Sequence, residues 1–214
     1  MKKFFVLGVL FLLPIVAYLF FSSGVNHFAN LPILTTQVKD VNQFITSQDS
    51  AVSFQDKITI VAFFGNDIDD LKGNTFNLDQ KILEKFYQFK DFQFVIVLPE
   101  EARSQAEKFI DEFSAITNSD YWKMVYGTPS QVSAVFDSFQ TDKQLDENLQ
   151  TPYVFIIDKE KNLRGRDADE DEGTLYGYDS RSVSELNNKM NDDVKVILAE
   201  YRLALKKYNK RKEE

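Results

Sequence analysis

The chain contains no cysteine and one histidine, His27. Without cysteine there can be no disulfide, no thiol redox step, no thiolate nucleophile, no Cys-ligated zinc or iron–sulfur cluster and no lipid attached through sulfur. It also means that cysteine usage does not report the redox compartment. One histidine per chain leaves no room for a multi-histidine metal site and almost none for a Ser–His–Asp triad. Positive charge is in short supply as well: 25 basic residues face 33 acidic ones, for a net charge of −8 and a pI near 4.8. A nucleic-acid partner requires a basic face, and none stands out, so no nucleic acid is expected. There is no internal repeat and no low-complexity linker.

Apolar residues, by contrast, are abundant. They make up 43% of the 214 residues, and phenylalanine alone occurs 20 times, enough for a sizeable core and too much for a disordered chain. The first two dozen residues differ from the rest, and what remains suits a single domain.

Lys2 and Lys3 precede an uncharged run from Phe4 to Phe21. In helical form this run spans about 27 Å, close to the thickness of a hydrocarbon core. Pro14 within it is tolerated in a membrane. The competing reading is a cleaved signal peptide, but its apolar region is shorter and ends at small residues, whereas this run leads into Phe20-Phe21-Ser22-Ser23-Gly24. A retained signal-anchor is the favoured reading. The next basic residue is Lys39, so the positive-inside rule keeps the amino terminus cytoplasmic. The expected organisation is an anchor at 1–24 touching membrane lipid through residues 4–21, a tether leading into the domain at 25–57, and a domain at 58–214. The chain would cross the inner (cytoplasmic) membrane once, with its domain periplasmic. His27, beside the anchor, reads as a headgroup-level residue rather than a metal ligand.

Helix and strand signals alternate through the domain. Ile58–Phe64, Phe92–Leu98 and Tyr153–Ile157 are apolar throughout, as strands covered on both faces should be. Helical spacing follows Asn77 (Leu78, Ile82, Leu83, Phe86), Pro99 (Ala102, Ala106, Phe109, Phe113) and Thr128-Pro129 (Val132, Val135, Phe136). Trp122–Tyr126 suggests a short strand. Asp158–Asn162 turns the late strand into a hairpin with Leu163. A helix from Ser182 to about Lys207 carries Leu186, Met190, Val194, Ile197 and Tyr201 on one face, and its basic end suits the helix dipole. In the leading segment, Leu31–Leu34 reads as extended and Val41–Ile45 as a short helix or edge strand. The order predicts an α/β fold, a mixed central sheet with helices on both faces, in a thioredoxin-like arrangement.

Three stretches carry a resemblance. They are Phe63-Phe64-Gly65 leading into a loop, Thr151-Pro152 ahead of Ile156-Ile157-Asp158-Lys159, and the closing run from Gly177-Tyr178-Asp179 to Lys206-Lys207. With the anchor, the chain resembles the Sco/SenC group of membrane-tethered thioredoxin-fold proteins, closest to cysteine-free relatives of Bacteroidetes-type bacteria. In that family a CxxxC motif after the first core strand and a later histidine bind copper and support assembly of the copper site of cytochrome oxidase. Here the loop reads Gly65-Asn66-Asp67-Ile68-Asp69-Asp70-Leu71, and the approach to the late strand Glu147-Asn148-Leu149-Gln150-Thr151. None of the three ligands carries over, and carboxylates do not replace thiolates for Cu(I). The resemblance also implies that Thr151-Pro152 occupies the cis-proline position that shapes the site loop, a trans proline starting a strand being the plainer reading.

Each remaining candidate has a plainer alternative. Asp67, Asp69 and Asp70 could hold a hard divalent cation, or simply stand as solvated acids ahead of a helix. In Asp167-Ala168-Asp169-Glu170-Asp171-Glu172-Gly173 the glycine arrives one residue late for a calcium loop, and the twelfth position is Tyr178 rather than glutamate. Arg164 and Arg166 could receive an anion, but are expected to pair with that acidic run as exposed pairs of little worth. Trp122, Tyr126, Tyr176 and Tyr178 could anchor a partner or pack in the core, with Gly177 shaping their loop. The expectation that follows is a non-catalytic binding or assembly module without cofactor, working with another envelope protein, by family analogy in respiratory-complex assembly. The alternative is a carboxylate-based divalent-metal protein or enzyme centred on Asp67, Asp69 and Asp70.

Overall fold

A computed structural model describes residues 2–22, 30–46, 51–114 and 121–213. Its elements are α1 (Lys2–Ser22), β1 (Ile33–Thr35), β2 (Ile45–Thr46), β3 (Ile58–Phe64), α2 (Lys72–Leu78), α3 (Glu84–Phe86), β4 (Phe92–Pro99), α4 (Arg103–Ser114), β5 (Trp122–Gly127) and α5 (Pro129–Asp137). They are followed by β6 (Gln150–Ile157), β7 (Leu163–Arg164), β8 (Arg166–Asp169), β9 (Gly173–Leu175), β10 (Tyr178–Asp179), α6 (Val183–Glu185) and α7 (Asn191–Glu213). Single π-helical turns join α2 to α3 and α6 to α7.

Alternation within the strands decides how the layers form. Ile58, Ile60, Ala62 and Phe64 of β3 project to one face of the sheet, and Val61 and Phe63 to the other. The same split holds for Phe94 and Ile96 against Val95 and Val97 in β4, and for Ile156 against Phe155 and Ile157 in β6. The first face packs against α4, α7 and the helical run from α2 to α3. On the second lie α5 and residues of the leading segment, where Phe63, Phe136, Phe139 and Phe155 meet edge to face at ring separations of 5.2 to 6.3 Å.

The sheet order is β1-β7-β6-β3-β4-β5-β2, with β10 paired to the start of β6. β3, β4 and β5 run parallel, while β6 is antiparallel to β3 and forms the expected hairpin with β7. This is the mixed sheet the sequence predicts. β5 is buried at every residue but half-buried Lys123. Thr128 caps α5 through a reciprocal pair of bonds with Gln131.

One helix boundary differs from expectation. The helix placed at Asn77 begins earlier, at Lys72 after a 3₁₀ turn at Asp69–Leu71, so Asn77 is internal and its amide reaches Ser180. The segment expected as tether and domain entry contributes Leu31, Val38, Val41, Val52 and Phe54 to the core, all buried, and forms the edge strands β1 and β2, which overlap the stretches read as extended and as a short helix or edge strand.

α1 forms where the apolar run predicts a helix, over 21 residues. Among the described residues no helix is long and apolar enough to cross a membrane. Within α1 the described apolar side chains run from Val6 to Tyr18, and the large ones among them are exposed. His27 lies outside the described residues.

Candidate functional site

The loop after β3 is closed by its own chain. Gly65 sits at φ +59°, a conformation that favours glycine, and a Cβ there would stand 2.2 Å from the carbonyl oxygen of Asn148. Asn66 N–H donates to that same oxygen at 2.9 Å. The Gln150 side-chain amide, with its nitrogen toward the loop, donates to the carbonyls of Asp67 (3.0 Å) and Phe64 (3.1 Å). Ile68 is buried beneath. The backbone groups of Phe64, Asn66 and Asp67 are thus spent on residues 148–150 rather than presented to a ligand.

Asp67 and Asp69, the two of the three aspartates whose side chains are described, do not form a common site. Asp69 is exposed and forms an ion pair with Lys72 at 2.8 Å, and Lys72 also reaches Glu112 of α4 at 2.9 Å. The hydrogen bond from Lys72 holds the Asp69 carboxyl below its ordinary range. Asp67 is half-buried, and the Asp70 side chain lies outside the described set. Among the described residues no group of three His, Asp or Glu side chains is placed to hold a metal ion.

Thr151-Pro152 does adjoin this loop, but the expected cis bond is absent: no peptide bond among the described residues is cis. The pairing of β3 with β6 jumps from Ala62↔Val154 to Phe64↔Gln150, so Phe63 faces three residues, Thr151, Pro152 and Tyr153. Such a bulge tolerates proline, which has no N–H to give the ladder. The Pro152 carbonyl accepts the Ser180 N–H at 3.0 Å and its hydroxyl at 2.5 Å, which holds β10 beside the bulge.

The aromatic candidates are core residues. Trp122 is buried between Phe94 and Phe113. Tyr126 is buried with its hydroxyl on the Met124 sulfur, and burial pushes that phenol up to about 12. Tyr178 is fully buried and donates to Asp193 at 2.7 Å; burial first, then Asp193, pushes its phenol well above the ordinary value. Tyr176 is half-buried against the phenylalanine cluster. As partner anchors, Trp122 and Tyr178 are therefore corrected: each ring has its surface covered by this chain. Gly177 is tight because an added Cβ would stand 2.7 Å from the Phe155 ring.

The acidic run is the turn of a hairpin, β8–β9, which the sequence reading did not foresee. Asp169 accepts from Lys189 at 2.7 Å, from Arg166 at 3.4 Å and from the backbone N–H groups of Asp171 and Glu172. Burial alone would raise its carboxyl, but these donors outweigh it and hold the group below its usual range. Bonds to Asp169 and Asp171 push the Lys189 ammonium up to about 12. Arg166 continues the network to Asp193. Arg164 is not exposed, as expected for it, but buried: it pairs with Asp158 at 3.0 Å and Glu200 at 2.7 Å and donates to the Leu31 carbonyl at 2.8 Å.

Sequence reasoning passed over Arg103. It opens α4, just after β4 ends at Pro99, beside the strand end where ligands of open α/β sheets gather. Its guanidinium lies 4.7 Å over the Tyr126 ring, and its Nε and Nη2 are buried with no hydrogen-bond partner among the described residues. The signal was its position: a cation one turn after a strand-ending proline.

No family model matches the chain, and no curated protein matches it. Solved structures do. One is BsSco, described as a member of the Sco family of cytochrome c oxidase assembly proteins: 14% identity, TM-score 0.51, covering 78% of this chain and 94% of that one. Another is a putative electron transfer protein from Aquifex aeolicus, with 13% identity and TM-score 0.51 over 79% of this chain and 92% of that one. Copper-bound ScoI from Arabidopsis thaliana aligns at 16% identity and TM-score 0.47, over 75% and 98%. The fold is thioredoxin-like. At such identities the likeness is one of fold alone.

Proposed function

We propose that this chain is a membrane-anchored, extracytoplasmic Sco-like protein that acts by binding another envelope protein rather than by catalysis. The observation that carries this reading is the state of the loop after β3. It contains no thiol, its backbone is held by Asn148 and Gln150, and Asp69 is neutralised by Lys72. A scaffold that keeps its shape while its reactive position is closed is suited to recognition. BsSco, similar in fold, belongs to a family of assembly proteins, which makes a respiratory-complex component a suitable partner. The recognition surface includes half-buried Arg103, whose unsatisfied Nε and Nη2 would meet a partner's carboxylate or carbonyl once the guanidinium shifts from its buried place over Tyr126. For the anchor, support comes from the uncharged run Phe4–Phe21 and from α1, whose described large apolar side chains are exposed, as lipid requires.

Crosslinking of the full chain in native membranes, followed by capture and metal analysis of the same sample, tests the reading. The expected outcome is one reproducible protein partner and no stoichiometric metal. A stoichiometric divalent cation, or disulfide reductase activity, would overturn it.

A further inference from the structure

The two ends of the sheet differ in charge. At one end, where β3 stops and β6 starts, Asp67, Asp69, Asp146 and Glu147 outnumber Lys72, which pairs with Asp69, and Lys143, which pairs with Glu172 of the acidic turn. At the other, where β3 and β4 begin and β6 ends, lie Lys57, Lys90, Lys159, Lys161 and Arg202 against Asp56, Asp91 and Glu160. There Lys90, Lys159, Tyr201 and Arg202 line a cavity of about 230 Å³ together with Phe89, which is itself exposed. α7 runs past this end and continues as a helix to Glu213. From Tyr201 to Lys212 it extends about 16 Å further. Within that stretch Arg202, Lys206, Lys207, Lys210, Arg211 and Lys212 are basic, six charges in eleven residues of a chain whose net charge is −8.

The chain leading from the anchor reaches the domain beside this helix. The Leu31 carbonyl is bonded to Arg164, which is bonded in turn to Glu200 of α7, two residues before the basic stretch begins at Arg202. The nine Cα steps from Ser22 to Leu31 can span at most about 32 Å. A membrane that holds α1 is therefore within reach of the projecting end of α7.

We propose that the basic end of α7 and the lysine-rich end of the sheet rest on anionic phospholipid headgroups, so that the closed loop after β3 and Arg103 face away from the membrane. This rests on the anchor reading. Six cations close to such a surface bind it cooperatively with the tether, and aromatic Phe89, Tyr201 and Tyr208 suit the interfacial zone. The chain's lack of cysteine makes the test direct. Full-length Asn209→Cys and Asn148→Cys proteins, labelled with a fluorophore, are reconstituted in vesicles of phosphatidylcholine alone or mixed equally with phosphatidylglycerol, each carrying a headgroup quencher. Quenching at position 209 should be about fivefold stronger with phosphatidylglycerol and collapse at about 1 M salt, where screening is complete within about 3 Å. Position 148 should stay unquenched, and replacing the five basic residues Lys206 to Lys212 by glutamine should abolish the signal at 209. A chain that stays embedded while 209 is unquenched, or is quenched equally in phosphatidylcholine, overturns this proposal. A chain washed from neutral vesicles by high salt overturns the anchor instead.

Discussion

Replacing Arg164 by methionine should cost about 3–5 kcal/mol of stability. The magnitude follows from what the guanidinium leaves behind. The side chains of Arg164 and Asp158 are 3% and 1% exposed, so their pair is cut off from water. Asp158 also accepts from the N–H groups of Glu160 and Asn162 and from the Asn162 amide, which fix it in place when its cation is gone. The Leu31 carbonyl loses its donor too, whereas Glu200, with a side chain 29% exposed, can return to water at little cost. Against a total of about 5–15 kcal/mol, this loss is a large fraction.

Denaturant titration followed by the fluorescence of Trp122, the single tryptophan and a buried one, reads the change directly. For a domain of this size the melting temperature should fall by about 6–20 °C. Because the damage is a stranded charge rather than a missing contact, Asp158→Asn combined with Arg164→Met should recover part of the loss. Proteolysis should also reach residues 30–46 sooner, since Arg164 ties Leu31 to α7. A loss under about 1 kcal/mol, with no rescue in the double variant, would show the pair to be solvated and refute the reasoning.

Gly65→Ala should destabilise by about 1–3 kcal/mol, through its positive φ and the Asn148 carbonyl 2.2 Å from the new Cβ; amide exchange should rise first at Asn66. Gly177→Ala should cost a similar amount, about 1–3 kcal/mol, by pressing on the Phe155 ring, and a Phe155→Leu change should relieve it in the double variant. In acid, Asp91, Asp169 and Asp179 have folded values held below the ordinary 3.8, so their stabilisation is present above that value and is lost as pH falls through the lower folded ones. Asp169→Asn should flatten that decline in acid melts. In base the sign reverses. Lys189 is raised from 10.5 to about 12, so its contribution is complete below 10.5 and disappears as pH rises through about 12, with tyrosinate formation at Tyr178 delayed until the network opens.

The central strands were legible because each is apolar on both faces, a pattern that leaves little choice but burial in a covered sheet. β8, β9 and β10 were not. Arg166-Asp167-Ala168-Asp169 has no alternating apolar face, and what holds it is charge contributed by Lys189 and Asp193, through bonds that span 20 and 27 residues. The same distance effect hid the fate of Tyr178, whose hydroxyl partner Asp193 lies on α7. Arg164 looked like half of an exposed pair because its acidic neighbours in sequence are close; its actual partners, Asp158 and Glu200, are set by the turn before β7 and by the docking of α7. At the site, the absence of a nucleophile could be read from composition. The closure of the loop by Asn148 and Gln150 could not, since it depends on the bulge at Pro152.

Arg103 separates a binding surface from an inert scaffold. Its stacking on Tyr126 is worth about 0.5–1 kcal/mol. Two of its donors, Nε and Nη2, are buried without a partner among the described residues, a state that costs about 1–3 kcal/mol. On these figures the isolated chain gains nothing by keeping the guanidinium, and Arg103→Met should melt within about 1 kcal/mol of the parent or slightly above it. If the donors are kept for a partner's carboxylate or carbonyl, the same variant should lose most of its crosslinked partner while its fold is intact. Arg103→Lys, which keeps the charge but not the planar fork, should recover little of it. A marked loss of stability with undiminished partner capture would make Arg103 a packing residue, and the recognition surface would then have to be sought away from α4.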